Sequence, residues 1–319
     1  MKHLEVILAP GEFAELRKRD LSTSICVVFD VLRATSSMVS ALGNGAGAIL
    51  PVEDIPEALK ERNENPAVLL AGERNGLRIE GRLTGGVCFD LGNSPREFTE
   101  AKVRGKRIVW TTTNGTRALR ACIGARAVLV GSLLNLAATA EALRCMTERG
   151  AQELPQKSTK ATEHRSRQQT RGVQLNRRDA IGRREEVSEK SSQTASELGY
   201  RSTEEWSPEA RELNSILIVC SGTYQEVAFE DVLGAGAFCD LICDQIREGG
   251  VSDSALIARK LWNWERKDLL GAISKSKNGR RLLGRAELAD DVAFCARKDV
   301  FDFAVEMGRD GWLRRMEVE

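Results

Sequence analysis

The chain has 319 residues, of which 42% are hydrophobic and 29% are charged, and its net charge is +1. The length allows one large α/β domain or two smaller ones with a real hydrophobic core, and the composition is ordinary for a folded protein. The net charge gives no electrostatic basis for binding nucleic acid or an anionic membrane. No apolar run reaches the roughly 18 residues that a membrane span needs. The N-terminal segment also lacks the layout of a signal peptide, so we expect a cytoplasmic protein.

Histidine and cysteine usage narrows the possible chemistry. The two histidines are His3, near the terminus, and His164, in a polar tract, so catalysis by a positioned imidazole has little support. None of the eight cysteines forms a CxxC pair, so a zinc ribbon is not expected and most are predicted to be buried thiols. An enzyme of this composition would rely on carboxylates, hydroxyls, a thiol or water, and oxygen ligands favour magnesium over zinc.

Several segments repeat one plan, in which a short apolar strand leads through a polar turn into an amphipathic stretch. In chain order they begin with SICVVFD, AVLLAGE, KRIVWTTTNGT, AVLVGSLLN and SILIVCSGT. Near-continuous apolar strands are typical of a sheet covered on both faces, and their alternation with helices indicates βαβ units. The pattern from 252 to 319 predicts helices that pack on this sheet.

One region breaks the plan. Residues 150–213 are charged and rich in Ser, Thr and Gln, with few large apolar side chains. Such a segment cannot bury enough surface to offset its ordering entropy, so we expect a disordered polar insertion. The chain then divides into an N-terminal α/β part, 1–149, this insertion, 150–213, and a C-terminal α/β part, 214–319, that completes the fold.

Polar side chains follow several of the predicted strands, where open α/β sheets bind their ligands. The first set is Asp30, Arg33 and Thr35. Asp30 can bind a metal or act as a nucleophile, and Arg33 can make a bidentate contact to phosphate or carboxylate. The plain alternative is a helix-capping Asp with a nearby salt bridge. A haloacid-dehalogenase-type phosphatase is disfavoured, because the second Asp of that motif is replaced by Leu32.

Two further loops carry weaker signals. Glu73 and Arg74 follow the strand of AVLLAGE, and a charged turn explains them equally well. Asp90, Asn93 and Ser94 lie in the loop FDLGNSPREF, for which a well-hydrogen-bonded turn is the alternative.

Hydroxyl and amide groups dominate the loop TTTNGT, where Thr113, Asn114, Gly115 and Thr116 lie between a strand and a helix. Such groups suit an oxyanion such as phosphate, although a plain capping loop is also possible. The loop is not a P-loop, because the GxxxxGK[ST] pattern is absent.

The last strand tip is Cys220, Ser221, Gly222 and Thr223. Cys220 is a possible nucleophile, but a tyrosine-phosphatase loop needs an Arg where this chain has Glu226. Glu230 and Asp231, further along, can supply carboxylates. Taken together, the strand tips offer carboxylates, an Arg, many hydroxyls and no His. That set suits magnesium-assisted hydrolysis of an anionic phosphate ester.

With these motifs in hand, the chain resembles the 2-phosphosulfolactate phosphatase family. The resemblance rests on DVLRATSSMVSALGNGA, LLAGERNGLRIEG, FDLGNSPREF, TTTNGTRAL, VGSLLN, IVCSGT, FEDVLGAG and ADDVAFCARKDVFD, in family order. It covers about 1–150 and 213–305. The chain departs from the family pattern in the segment Tyr224-Gln225-Glu226 and in the long insertion.

The resemblance implies a three-layer α/β/α fold with a mixed, mostly parallel sheet. It also implies a Mg²⁺-dependent phosphatase that converts 2-phosphosulfolactate into 3-sulfolactate and phosphate, in coenzyme M biosynthesis or a related sulfonate route, and a possible homodimer. The positions that fall in shared motifs are Asp30, Arg33, Glu73, Asp90, Asn93, Asn114 and Cys220.

Our hypothesis for the site assigns Asp30, with Glu73 or Asp90, to Mg²⁺, and Arg33 to the phosphoryl oxygens. Water attacks with the help of a carboxylate, and a covalent route through Asp30 or Cys220 stays open. The predicted substrate-binding residues are Arg33, Thr35, Arg74, Asn93, Ser94, Thr113, Asn114, Gly115, Thr116, Ser221, Gly222 and Thr223. The alternatives are a phosphatase for another 2-phospho-hydroxyacid and a non-catalytic anion-binding protein of the same fold.

Overall fold

A computed structural model of the chain describes residues 3–152 and 213–317. The predicted insertion, 150–213, lies outside the described residues except at its two ends. No helix in the described part of the chain is long and apolar enough to cross a membrane.

Ten strands of the described residues form one sheet. They are β1 (His3–Ile7), β2 (Ser24–Phe29), β3 (Ala48–Pro51), β4 (Leu69–Arg74), β5 (Leu77–Arg78), β6 (Arg107–Thr111), β7 (Ala127–Gly131), β8 (Ser215–Cys220), β9 (Ala304–Met307) and β10 (Leu313–Met316). The order across the sheet is β1-β8-β2-β7-β9-β10-β3-β6-β4-β5. Strands from before and after residues 153–212 therefore share one sheet.

Helices cover both faces of the sheet. They are α1 (Phe13–Leu16), α2 (Ala34–Gly43), α3 (Ile55–Glu64), α4 (Glu100–Val103), α5 (Gly115–Ala121), α6 (Leu136–Gln152), α7 (Phe229–Ile242), α8 (Asp253–Glu265), α9 (Leu269–Lys275), α10 (Lys277–Leu283) and α11 (Ala289–Cys295). Local sequence sets several of their ends. Asp54, for example, begins α3 by accepting a hydrogen bond from the backbone N–H of Glu57, with Pro56 in the first turn.

The core lies on both faces because the central strands are apolar at every position. In β2, Ile25, Val27 and Phe29 pack with the helices of one face, and Cys26 and Val28 pack with those of the other. This is the period-two alternation of a strand buried on both sides. The prediction of a three-layer α/β/α fold with a mixed, mostly parallel sheet is confirmed.

The sheet contains two parallel sets. β1, β8, β2 and β7 form one set, and β3, β6 and β4 form the other. β9 and β10 join them through three antiparallel pairings, so the two sets run in opposite directions. The carboxyl ends of the two sets meet at one cavity, which is where the candidate site lies.

Candidate active site

The cavity between the two parallel sets has a volume of about 50 Å³. Its walls come from the ends of β2, β4 and β6, from the loop that carries Asn93, from the segment after β8 and from α10. The predicted site residues that line it are Asp30, Arg33, Glu73, Asn93, Thr113, Asn114 and Thr223. The structure thus brings together side chains that are separated by up to 193 positions, from Asp30 to Thr223.

Asp30 is held at the end of β2 by the first turn of α2. Its Oδ1 accepts a hydrogen bond from the backbone N–H of Ala34 at 3.1 Å. Thr35 Oγ1 accepts from the Asp30 N–H and donates to the Asp30 carbonyl oxygen, both at 2.9 Å. Thr35 is fully buried, so it positions Asp30 and does not line the cavity, unlike its predicted role in binding substrate.

Burial raises the pKa of the Asp30 carboxyl from 3.8 to about 7, and the nearby charges of Glu73 and Glu230 act in the same direction. Within the described residues, Asp30 Oδ2 accepts no hydrogen bond. The close approach of Gly115 leaves room for this oxygen, because a Cβ there would lie 2.7 Å from Asp30 Oδ2 and 2.5 Å from the Ala34 Cβ. A side chain at position 115 would therefore collide with Asp30 and Ala34, and only glycine fits there.

Glu73 ties the end of β4 to the end of β6. Its Oε1 accepts from the backbone N–H of Thr113 at 2.8 Å, and its Oε2 accepts from the N–H of Gly76 at 2.6 Å. Gly76 has a φ of 79° and follows Asn75 in the two-residue turn between β4 and β5. Positive φ at both positions is the requirement of a tight hairpin turn, which Asn-Gly meets well.

Arg33 reaches the cavity with its charge already paired. Its Nη1 donates to Asp291 Oδ2 at 2.7 Å, and its Nη2 donates to the carbonyl oxygen of Gly76 at 2.8 Å. Asp291, in α11, is fully buried and also accepts from Ser94 Oγ at 2.7 Å and Arg96 Nε at 2.8 Å. Ser94 was predicted to bind substrate, but in the structure it supports this carboxylate.

A second buried carboxylate fixes the segment after β8. Asp231 Oδ1 accepts from the N–H of Val31 at 2.8 Å, and its Oδ2 accepts from the N–H of Gly222 at 3.0 Å. Burial raises the Asp231 pKa well above its usual value, and the charges of Asp30 and Glu230 add to the effect. Gly222, with a φ of 65°, and the fully buried Ser221 form this turn without lining the cavity.

Glu230 lies beside this turn. Its Oε1 accepts from Asn278 Nδ2 at 2.6 Å, and the same amide nitrogen lies 2.7 Å from Thr223 Oγ1. Glu230 Oε2 is buried without a hydrogen-bond partner. An unpaired buried carboxylate oxygen is costly, so it is expected to meet a cation or water when the protein is in solution.

The structure places the Cys220 thiol in the core and not at the cavity, so it does not support the prediction that Cys220 is a nucleophile. Cys220 is the last residue of β8, and its fully buried side chain packs in the core on the face of α7. Burial raises the thiol pKa well above its usual value, so the reactive thiolate is disfavoured. The sequence placed the residue correctly at a strand tip, but it could not reveal which face of the strand the side chain joins.

The structure also separates Asp90 from the cavity. The Asp90 carboxylate is paired with Arg62 and accepts from the N–H of Leu70 at 2.7 Å. Leu70 is near the amino end of β4, whereas Glu73 lies toward its carboxyl end. Asp90 therefore lies beside the amino end of β4, away from the cavity that Asp30 and Glu73 line, and the structure does not support its predicted role as a metal ligand there.

Two more predicted binding residues support the loops around the cavity and do not line it. Arg74 donates to the carbonyl oxygen of Glu73 at 2.7 Å and to Thr111 Oγ1 at 3.0 Å. Thr116 Oγ1 accepts from the N–H of Thr112 at 3.2 Å and is fully buried. Both side chains therefore hold the end of β6 in place.

Several residues that form the site are not among those predicted from the sequence. The cavity also contains Asn75, Gly76, Tyr224, Asn278 and Arg281, and Asp291 lies behind Arg33. The Asn-Gly pair is a hairpin signal that was available in the sequence. The other residues lie in helices or in a loop whose place over the cavity depends on the tertiary fold.

Tyr224 spans the cavity between two loops. Its backbone N–H donates to Asn114 Oδ1, and its hydroxyl donates to Asn75 Oδ1, each at 3.0 Å. Tyr224 belongs to the segment that departs from the family pattern, and its φ is 57°. Through Tyr224, the segment therefore forms part of the cavity wall.

The donor set at this cavity fits a hard cation such as Mg²⁺. Asp30 offers an oxygen that accepts no hydrogen bond within the described residues, and Asn93 Oδ1 is buried without a partner. Within 3–152 and 213–317, no three Asp, Glu, His or Cys side chains are arranged to hold one ion. Mg²⁺ usually takes one or two carboxylates and completes its shell with water and substrate oxygens, so this arrangement is compatible with it.

Comparison with known proteins places this chain among phosphatases. The family model described as 2-phosphosulpholactate phosphatase matches residues 12–149 and 201–309. The chain belongs to the 2-phosphosulfolactate phosphatase family. This confirms the family that the sequence motifs indicated.

Two members of the family align along nearly the whole chain, and a third aligns along part of it with higher identity. A protein of Caldicellulosiruptor saccharolyticus is 31% identical over 300 residues, which cover 94% of this chain and 96% of that protein. One of Clostridium acetobutylicum is 29% identical over 287 residues, 90% of each chain. One of Caldanaerobacter subterraneus is 46% identical over 130 residues, 40% of this chain and 51% of that protein. Each is named "Probable 2-phosphosulfolactate phosphatase".

Proposed function

We propose that this chain is a Mg²⁺-dependent phosphatase that converts 2-phosphosulfolactate into 3-sulfolactate and phosphate, in a route of sulfonate biosynthesis such as that of coenzyme M. Near-full-length relatives carry the name of this activity. The structural observation that carries the proposal is the cavity itself. It combines the Asp30 carboxyl group with the donors of Arg33, Thr113 and Asn114, which is the combination that a metal and a phosphate require.

In this proposal Asp30 and Asn93 hold Mg²⁺ through their side-chain oxygens. The bound ion would neutralise charge on the phosphoryl oxygens and on the ester oxygen as it departs. A cation at Asp30 favours its ionised form, so it would lower the carboxyl pKa from about 7. Glu73 is committed to two backbone N–H groups, so its role is to fix the cavity wall and add negative charge.

The donors around the cavity orient the phosphate ester. Arg33 uses one N–H for Asp291 and one for Gly76, so the rest of its five N–H groups can point at phosphoryl oxygens. The Thr113 hydroxyl and the Asn114 amide add further hydrogen bonds. The oxygen of water bonds to phosphorus as the phosphorus–ester oxygen bond breaks. The water gives up one proton, and the departing oxygen takes up one proton to become the hydroxyl of the acid. Positioning and charge stabilisation dominate such reactions.

Phosphate release from a panel of esters tests this proposal. The panel contains 2-phosphosulfolactate, 2-phospholactate and an aryl phosphate, each with Mg²⁺ and with EDTA. We expect release that needs Mg²⁺ and is fastest with the sulfonated ester. Release only from another ester would support phosphatase activity but show that 2-phosphosulfolactate is not the substrate. Binding without release, by a folded protein, would support the anion-binding alternative.

A further inference from the structure

The cavity contains a second guanidinium group, that of Arg281, which comes from α10. Within residues 3–152 and 213–317, its side chain forms no ion pair or hydrogen bond. Arg33 differs, because the buried carboxylate of Asp291 offsets its charge at 2.7 Å. A half-buried guanidinium that lines a cavity and has no ion-pair partner among the described residues is suited to an anionic ligand.

The surrounding contacts hold Arg281 at this place. Asn278, one helical turn earlier, is hydrogen-bonded to Thr223 and Glu230, which fixes α10 against the segment after β8. The guanidinium lies against Gly76, where a Cβ would come within 2.6 Å of Arg281 Nη2. The hairpin turn therefore leaves space for this side chain beside the cavity.

The two guanidinium groups do not have the same surroundings. The charge of Arg33 lowers the pKa of the Asp30 carboxyl group, and Asp291 pairs with Arg33. Both side chains meet Gly76, Arg33 through a hydrogen bond to its carbonyl oxygen and Arg281 through packing. The cavity therefore contains two guanidinium groups. Arg33 lies near the Asp30 carboxyl group, and Arg281, which has no ion-pair partner among the described residues, lies beside Arg33 at Gly76.

We propose that Arg281 binds the acid group of the substrate that is not transferred, and so selects phosphate esters that carry a second anion. A sulfonate and a carboxylate both present oxygens that match a guanidinium fork. The inference rests on the proposed function, because it concerns the substrate of the same site. It assigns Arg33 to the phosphoryl group and Arg281 to the remote acid.

Arg281→Gln tests this assignment, and Arg280→Gln is the matched control. Arg280 is the adjacent residue of α10, but it is exposed, bonds to the carbonyl oxygen of Lys275 and does not line the cavity. For Arg281→Gln we expect kcat/KM on 2-phosphosulfolactate to fall about 10- to 100-fold, mainly through KM, as for loss of a charge-assisted hydrogen bond. Activity on an aryl phosphate should stay within about twofold, and Arg280→Gln should match the wild type throughout.

The esters also identify the group that Arg281 binds. A loss on the sulfonated ester alone assigns Arg281 to the sulfonate. A similar loss on 2-phospholactate assigns it to the carboxylate. An equal loss on all three esters would place Arg281 at the transferred phosphate and overturn the proposal, as would unchanged kinetics on every ester.

Binding of 3-sulfolactate separates failure of this inference from failure of the proposed function. This acid carries a sulfonate and a carboxylate but no phosphate, so calorimetry can measure its affinity without turnover. We expect Arg281→Gln to weaken binding about 10- to 100-fold and Arg280→Gln to leave it unchanged. If the wild type hydrolyses no ester but shows this pattern, the proposed function fails and the role of Arg281 stands. Equal affinities of the wild type and Arg281→Gln for 3-sulfolactate, or no binding by the wild type, would overturn the role of Arg281.

Discussion

The carboxyl group of Asp30 is fixed by its own loop and destabilised in its charged form by its surroundings. The N–H of Ala34 and the hydroxyl of Thr35 hold it, while burial and the charges of Glu73 and Glu230 raise its pKa to about 7. Groups with strongly shifted pKa values tend to occur at functional sites. At the scale of the residue, Asp30 is the group most clearly prepared to receive a cation.

Metal-free protein is expected to lose stability as pH rises from about 4 to about 7. The Asp30 carboxyl titrates near 3.8 when unfolded and near 7 when folded, so the folded state binds more protons across this window. The contribution of Asp30 to the free energy of unfolding therefore falls with rising pH. Urea midpoints at pH 5 and 7.5 in EDTA measure the effect. The decrease in urea midpoint between pH 5 and pH 7.5 should be smaller in Asp30→Asn than in the wild type. An equal decrease in both proteins would contradict the raised pKa of Asp30.

Removing the Cys220 thiol should leave catalysis intact. The side chain is buried among apolar neighbours and burial raises its pKa, so Cys220→Ala removes packing and no reactive group. We expect turnover within about threefold of the wild type and a loss of about 1 kcal/mol in stability. Phosphate release and urea unfolding measure the two effects. A folded but inactive variant would restore the thiol as a candidate nucleophile.

At the scale of elements, α11 connects the C-terminal region to the site through Asp291. This carboxylate is fully buried and receives hydrogen bonds from Arg33, Ser94 and Arg96. The loop of Ser94, the end of β2 and α11 therefore share one charged group. Loss of its charge would leave the buried Arg33 without a counter-ion.

Asp291→Asn is expected to destabilise the protein by about 3 kcal/mol, the cost of leaving a buried charge uncompensated. The control is Asp290→Asn, because Asp290 also pairs with Arg96 but its side chain is 78% exposed. Exposed pairs contribute less than about 1 kcal/mol, so this variant should unfold almost as the wild type does. Urea unfolding compares the two. Equal losses would show that Asp291 has no special structural role.

The sequence predicted those elements whose signal is local. The apolar runs that became β2, β4, β6, β7 and β8 were recognised, because a strand buried on both faces has few polar residues. The functions of individual side chains at their ends were less predictable. Asp90 and Cys220 lie in motifs as polar as those of Asp30, and the direction of each side chain is decided by tertiary packing.

At the scale of the whole molecule, β9 and β10 decide where the site forms. They lie between β7 and β3, and through their three antiparallel pairings the two parallel sets run in opposite directions. A wholly parallel sheet would place the carboxyl ends of all its strands at one edge. The sequence pattern of this region predicts helices, because strands of four residues carry a weak signal.

Deletion of 311–319, which removes β10, should abolish cooperative unfolding. The deletion exposes β3 and β9 and removes Trp312, which packs in the core beneath α3 and stacks on Arg107 at 3.8 Å. Deletion of 317–319, which lie beyond β10, is the control and should leave unfolding unchanged. Thermal melts followed by circular dichroism compare the chains. A sharp transition in the longer deletion would show that β10 is dispensable.

The central claim is that Asp30, and not Asp90, supports a Mg²⁺-dependent phosphatase reaction. The most direct measurement is phosphate release from 2-phosphosulfolactate, with Mg²⁺, by the wild type, Asp30→Asn and Asp90→Asn. We predict a loss of at least about 100-fold for Asp30→Asn and near wild-type release for Asp90→Asn, which lies away from the cavity. Near-normal release by Asp30→Asn, or a comparable loss in a folded Asp90→Asn, would contradict the account.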